Sequence, residues 1–140
     1  MFTFKLFLRD HSSQIEANTA VLAALNGVIH SFKNNTAYGD YGPTIILEHC
    51  IDGFTFYTLY GHLSLGSITN LRVGTKVKAA EVIGYLGTAE VNGDYPPHLH
   101  FQIINDLQGN FGDYPGVCSA NELDFYKENC PDPNLILKLK

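Results

Sequence analysis

A mainly β protein, built as a compact antiparallel sheet of barrel-sandwich character with one short C-terminal helix, is the fold this sequence predicts, on three observations. Short runs rich in β-branched and aromatic residues recur along the chain. The tight-turn pairs Asn26-Gly27, Asp52-Gly53 and Asn92-Gly93 fall between them, the punctuation of consecutive antiparallel strands. Between Leu71 and Gly87 the apolar runs shorten, and Gly74, Gly84 and Gly87 each follow one, as in short strands turning sharply within a small barrel-like sheet.

The first residues alternate as a strand does, from Phe2 to Leu8. Thr19 to Ala24 is read as a strand, because Asn18, Thr19, Val21 and the Asn-Gly exit outweigh the helix-forming alanines and leucines of 17–25. Further strands are expected over Val28 to Lys33, Thr44 to Cys50, Phe54 to Tyr60, Lys76 to Lys78, Val82 to Leu86 and His98 to Ile104. Helix is expected only over Ala120 to Glu128, with Ser119 as N-cap and acidic residues in the first turn. The tail after Cys130 reads as an extended, proline-rich stretch with an apolar end to dock.

At 140 residues and 45% hydrophobic content the chain suits one domain, spanning 1–140. A net charge of -5 with only nine scattered Lys and Arg argues against nucleic acid and against anionic membranes as partners. No apolar run approaches the length that spans a bilayer. Lys5 and Arg9 bracket too short an apolar stretch for a signal peptide. Three cysteines, Cys50, Cys118 and Cys130, leave one unpaired under any internal pairing, so reduced and mostly buried thiols in a cytoplasmic protein are expected; a Cys118–Cys130 bridge stays open.

The chemistry concentrates at His98 and His100. On a strand, residues i and i+2 share a face, so both imidazoles would enter one space while Leu99 packs behind them. Imidazole is a common zinc ligand, and a catalytic zinc takes three protein ligands and leaves a position for water. A bare His-x-His also fits an exposed strand whose rings merely hydrogen-bond to neighbours. Pro96 and Pro97 favour the first reading, because they hold the approach extended at the start of a strand. His62 follows another aromatic strand that ends at Gly61. His30 and His49 fall inside apolar strands and read as hydrogen-bonded core or edge histidines. Tyr38, Tyr41, Tyr57, Tyr60 and Tyr95 would either line a peptide groove or fill core.

Five segments carry a family resemblance: Ala-Ala-Leu-Asn-Gly-Val-Ile (23–29), Tyr-Gly-Pro-Thr-Ile-Ile-Leu-Glu-His (41–49), Thr-Leu-Tyr-Gly-His-Leu-Ser (58–64), the run from Val73 to Gly87, and Pro-His-Leu-His-Phe-Gln (97–102). In this order they resemble the M23 peptidases of the lysostaphin or LytM type, zinc endopeptidases that cut peptide crosslinks of bacterial cell walls. The resemblance implies the LytM fold with its duplicated hybrid motif, and a peptide or peptidoglycan-like substrate. It also implies His100 as a zinc ligand, with His62 and His98 as catalytic residues beside the metal-bound water and the scissile carbonyl. The segments 113–118 and 130–134 look like a branch in which such a domain sits beside other domains of a larger protein.

One half of the family's metal site departs from the pattern. Its His-x-x-x-Asp motif, counted back from Thr19 without gaps, falls on Leu8 and Ser12, which zinc does not use. A register shift or bulge would bring His11 inward as a ligand, with Glu16 as an oxygen donor; otherwise Asp10 and His11 merely occupy a turn. The resemblance with this gap implies a degenerate site with zinc held weakly or not at all, or else a chain start that is truncated, in which case the location would be extracytoplasmic. Two other functions compete: a non-catalytic module that binds a peptide or partner in the same groove, and a barrel-sandwich carrier prompted by 73–87. The carrier lacks a lysine set in a tight hairpin turn.

Overall fold

The computed structural model describes residues 5–6 and 16–139. Its strands are β1 (Lys5–Leu6), β2 (Ala20–Leu22), β3 (Gly27–Asn35), β4 (Gly42–Ile51), β5 (Phe54–Gly61), β6 (Lys76–Val77), β7 (Val82–Tyr85) and β8 (Leu99–Ile104). Six of them form one antiparallel sheet in the order β1-β8-β5-β4-β3-β6, and β2 pairs with β7 in a second, two-stranded sheet. Of the strand expected over Phe2 to Leu8, Lys5 and Leu6 pair with His100 and Leu99. The rest of it, with Asp10, His11 and Ser12, lies outside the described residues.

The main sheet is buried on both faces, which is why its central strands read as unbroken apolar runs rather than as alternating patterns. Ile45 and Leu47 of β4, Tyr60 of β5 and Phe101 and Ile103 of β8 face one cluster, completed by Val21 and Ile83 from the second sheet and by Leu86 just after β7. Ile46, Leu59 and Ile104 face the other, completed by Tyr41, Leu107 and Tyr114 from the loops. His100 and Gln102 share this second face with Ile104, and His100 lies opposite Gly61.

The three turn pairs serve different purposes. Asp52 (φ 52°) and Gly53 (φ 81°) are both left-handed, as a two-residue hairpin between β4 and β5 demands, with Ile51 opposite Phe54. Asn26-Gly27 does not join paired strands, because β2 pairs with β7 instead of β3. Gly27 is required by close approach: a Cβ there would lie 2.4 Å from the Glu48 carbonyl oxygen and 2.7 Å from Nδ1 of His49. Asn92-Gly93 belongs to the loop between β7 and β8 and helps build the site below.

The C-terminal helix is present. Ser119 opens it as expected, through a capping box in which the Glu122 carboxylate accepts from the Ser119 hydroxyl at 2.8 Å and its backbone N–H at 3.3 Å. The first turn (Ala120–Glu122) is a 3-10 turn, which continues as α2 (Leu123–Asn129). Two four-residue helical turns add to the sequence reading, α1 (Gly66–Thr69) and α3 (Asn134–Leu137). In the tail, Asp132 accepts the N–H of Asn134 at 2.9 Å, so the segment read as extended coils after Pro133. Its apolar end docks as expected, with Ile136 and Leu137 packed on the first cluster. The expectation of mostly buried thiols is corrected: Cys50 is exposed, and Cys118 and Cys130 are half-buried and unbridged.

His49 shows the core cost of a buried imidazole. Its Nδ1 lies 2.7 Å from the Asn26 carbonyl and its Nε2 2.7 Å from the Thr58 hydroxyl, and Tyr60 links Thr58 (3.1 Å) to the N–H of Ala24 (2.9 Å). Burial holds the ring below its ordinary value of 6.5, outweighing the Asn26 hydrogen bond and the nearby Glu48. The unfolded chain therefore takes up the proton first, and stability falls as pH drops below 6.5. Urea unfolding at pH 7.5 and 5.5 should show the loss, at most about 1.4 kcal/mol per pH unit from this one group, and His49→Gln should flatten the slope.

Candidate active-site groove

The site sits on the second face of the main sheet, where β5 ends and β8 begins. His62 follows Gly61 with φ 64°, a left-handed backbone that a side-chain-bearing residue adopts only when its surroundings hold it there. Its N–H donates to the Tyr41 carbonyl at 2.7 Å, and its carbonyl accepts from Gly87 at 3.0 Å. The ring donates from Nδ1 to the Asn92 carbonyl at 2.7 Å. A carbonyl only accepts, so the proton of the neutral ring is on Nδ1 and Nε2 carries the lone pair.

His98 has the same arrangement. Its Nδ1 donates to the Pro96 carbonyl at 2.7 Å, again leaving Nε2 as the basic nitrogen. It stands one residue ahead of β8 and not on it, because the Pro96-Pro97 pair keeps this stretch out of the ladder. The rings of His98 and His100 both stand beside that of His62, whose centroid is 4.3 Å from that of His98 and 6.0 Å from that of His100. All three side chains are nearly buried, at 2–3% exposure. His100 places Nε2 2.9 Å from Oε1 of Gln102 and stacks at 4.6 Å on Tyr41.

Beside them lies a groove of about 440 Å³, lined by His62, His100, Tyr38, Tyr41, Tyr95, Asp40 and Asp113, with the loop from Tyr114 to Val117 along one side. Three of the five tyrosines singled out in the sequence belong to it. Tyr60 is core instead, and Tyr57 packs edge-on against His30 at 5.2 Å. His98 meets the groove through the rings of His62 and Tyr95. Burial, then Asp40, push the Asp113 carboxyl above the usual range against the pull of the Tyr114 N–H and Lys33. Burial, then Asp113 and Asp40, push the Tyr41 hydroxyl far up, so it stays a neutral donor, to the Tyr114 carbonyl at 2.9 Å.

The supporting residues escaped the sequence reading. Asn92 is wholly buried; its amide donates to the carbonyls of Gly87 and Tyr95 and accepts the N–H of Tyr95, which presents the Asn92 carbonyl to His62. Gly116 lets its loop lie on the site: a Cβ there would stand 2.1 Å from the Tyr41 hydroxyl and 3.3 Å from Cε1 of His100. Asn-Gly had marked position 92 as a turn residue, and nothing local marked Gly116.

Zinc suits imidazole donors of this kind, and His100 is the candidate ligand. A catalytic zinc takes three protein ligands, and among the described residues no group of three or more His, Cys, Asp or Glu side chains is placed to hold a metal ion. Glu16 is exposed, and its carbonyl receives Thr19. His11 lies outside the described residues. The described side chains thus carry the imidazole chemistry of a zinc centre without its full donor set.

Residues 11–111 match the model of peptidase family M23. The chain is similar to the catalytic domain of the antimicrobial peptidase lysostaphin from Staphylococcus simulans, at 27% identity and a TM-score of 0.59, over 90% of this chain and 75% of that one. It spans 48% of intact lysostaphin. LytU shares the fold at 20% identity and a TM-score of 0.56, over 99% of this chain and 83% of that one. So does a mutant catalytic domain of the prophage-encoded M23 protein EnpA from Enterococcus faecalis, at 18% identity and a TM-score of 0.54, over 76% of this chain and 75% of that one. No curated protein matches the chain. With a match running through most of its length and the lysostaphin fold around its three gathered histidines, the chain belongs to peptidase family M23.

Proposed function

We propose that the chain is a peptidase of weak zinc affinity that hydrolyses short, glycine-containing or otherwise crosslink-like peptides lying in the tyrosine-lined groove. The observation that carries this reading is the convergence of His62, His98 and His100, two of them fixed with Nε2 as the basic nitrogen. A neutral ring so fixed takes a proton from an attacking water and, as imidazolium, returns it to the leaving amine or steadies a developing oxyanion. Zinc, when bound, supplies the acidified water and polarises the scissile carbonyl. His100 would be one ligand. The others would come from the segment between Leu6 and Glu16, which carries His11.

The weak affinity follows from the Leu8 and Ser12 positions, which remove the family's other two ligands from the ungapped register. Zinc should therefore be lost on dialysis against buffer and return at saturating concentration, and peptide cleavage followed by mass spectrometry should rise and fall with it. Tight stoichiometric zinc that survives dialysis and is lost in His100→Ala would overturn the weak site. No cleavage of any glycine-containing peptide at saturating zinc would overturn the peptidase and leave a peptide- or partner-binding module.

A further inference from the structure

We propose that the groove selects peptides that carry an ammonium group, drawn in by the carboxylates of Asp40 and Asp113 and seated among the rings of Tyr38, Tyr41 and Tyr95. The inference rests on reading the groove as the substrate site of a peptidase, and it names the class of substrate.

Asp40 and Asp113 both line the groove, and no lysine or arginine is among the described residues that do. After burial, both carboxylates help hold the proton on the Tyr41 hydroxyl, and Asp40 raises the Asp113 carboxyl, so the two charges act on one small space. Lys33 pulls against Asp113 without lining the groove. Like charges kept together in a concave site repel each other, and a bound cation relieves them. A peptide carboxylate entering the same space would add to the repulsion. Aromatic faces also attract ammonium groups, and three tyrosines share this lining.

Buried polar groups keep the carboxylates in place. Gly112, the residue before Asp113, donates its N–H to the Ser31 hydroxyl at 2.8 Å, and its carbonyl accepts from the Asn35 amide at 2.9 Å. Ser31 and Asn35, both on β3, are 2% and 4% exposed. A Cβ on Gly112 would stand 2.5 Å from Cβ of Lys33, so this loop lies directly on β3. Each carboxylate then accepts the N–H of the tyrosine after it, Asp40 from Tyr41 at 2.7 Å and Asp113 from Tyr114. The Tyr41 hydroxyl donates to the Tyr114 carbonyl at 2.9 Å and ties the two Asp-Tyr pairs together. Asp113 lies beyond residue 111, where the match to the family model ends, so half of this charge comes from the chain's own C-terminal segment.

The test is binding of the peptide Gly-Gly-Lys-Gly-Gly, amidated at its C-terminus, to the intact ¹⁵N-labelled chain without added zinc. Four forms are compared: both amines free, the amino terminus acetylated, the lysine acetylated, and both acetylated. A form with a free amine should bind about 10-fold tighter than the doubly acetylated one. The two singly acetylated forms tell a side-chain ammonium from a terminal one. The gap should close in Asp113→Asn and in Asp40→Asn, which keep the shape, and should narrow as salt is raised on the unaltered protein. Asp124→Asn removes an exposed carboxylate of α2 that does not line the groove, and should leave the gap intact. The proposal is overturned if the doubly acetylated peptide binds as tightly as the others, or if no amine-bearing peptide binds. A gap that survives both asparagine variants, or that ignores salt, also overturns it. The salt response needs no variant, so it decides even where a variant does not fold. Preferential binding with no cleavage at saturating zinc defeats the peptidase reading and keeps the selectivity, whereas cleavage of all four forms with one kcat/KM overturns the selectivity alone.

Discussion

Gly42→Ala is expected to destabilise the fold by about 2–5 kcal/mol, the sum of a left-handed backbone cost and an overpacking cost. Gly42 has φ 62°, and a Cβ there would stand 2.2 Å from the Val91 carbonyl oxygen and 2.9 Å from Cα of Asn92. These are backbone atoms, so no side chain can swing aside. The loop that must yield is the one whose Asn92 carbonyl receives Nδ1 of His62. The same contact is doubled by Gly93, whose Cβ position lies 2.0 Å from the Asp40 carbonyl oxygen. Two glycine-bearing loops thus interlock behind the histidine. Gly53→Ala is the control, because Gly53 is also left-handed at φ 81° but has nothing within 4 Å of a Cβ. It should cost only the backbone part, about 1–2 kcal/mol. Urea unfolding of both variants checks the difference, and equal losses would show that the interlock adds nothing.

His62→Ala is expected to lower peptide turnover about 10²–10⁴-fold at saturating zinc, the usual worth of a positioned acid–base group. The fold should survive it, since the ring's bond to Asn92 is one of several that hold that loop. His62 touches both other rings and lines the groove. Its left-handed backbone would itself relax in the alanine variant, so His62→Asn, which tolerates φ near 60°, serves as the structural control. Turnover should be lost in both. Retained turnover in either variant would move the acid–base role to His98.

The sheet and the histidines were legible in the sequence for separate reasons. Burial of the main sheet on both faces leaves β-branched and aromatic runs such as Thr44 to Leu47, which stand out without any partner in view. Asp52-Gly53 encodes its hairpin locally, because both residues must be left-handed. The imidazoles were found because His-x-His places two rings two residues apart, and His62 was found at a strand end. What was missed is non-local. Asn92 reaches His62 across 30 positions, and Gly116 matters because Tyr41 arrives from 75 positions away. The turns α1 and α3 are too short to show helical periodicity, since a single turn carries no repeat. Gln102 looked like an ordinary strand residue until Pro115 and His100 were seen on either side of it.

The most direct measurement of the shared site is a zinc titration of the ¹⁵N-labelled chain followed at each imidazole. The signals of His62, His98 and His100 should move together, with one half-saturation point, while His30 and His49 stay in place. Three rings that respond at different zinc concentrations, or that do not respond while His30 and His49 do, would contradict a common catalytic centre in the groove.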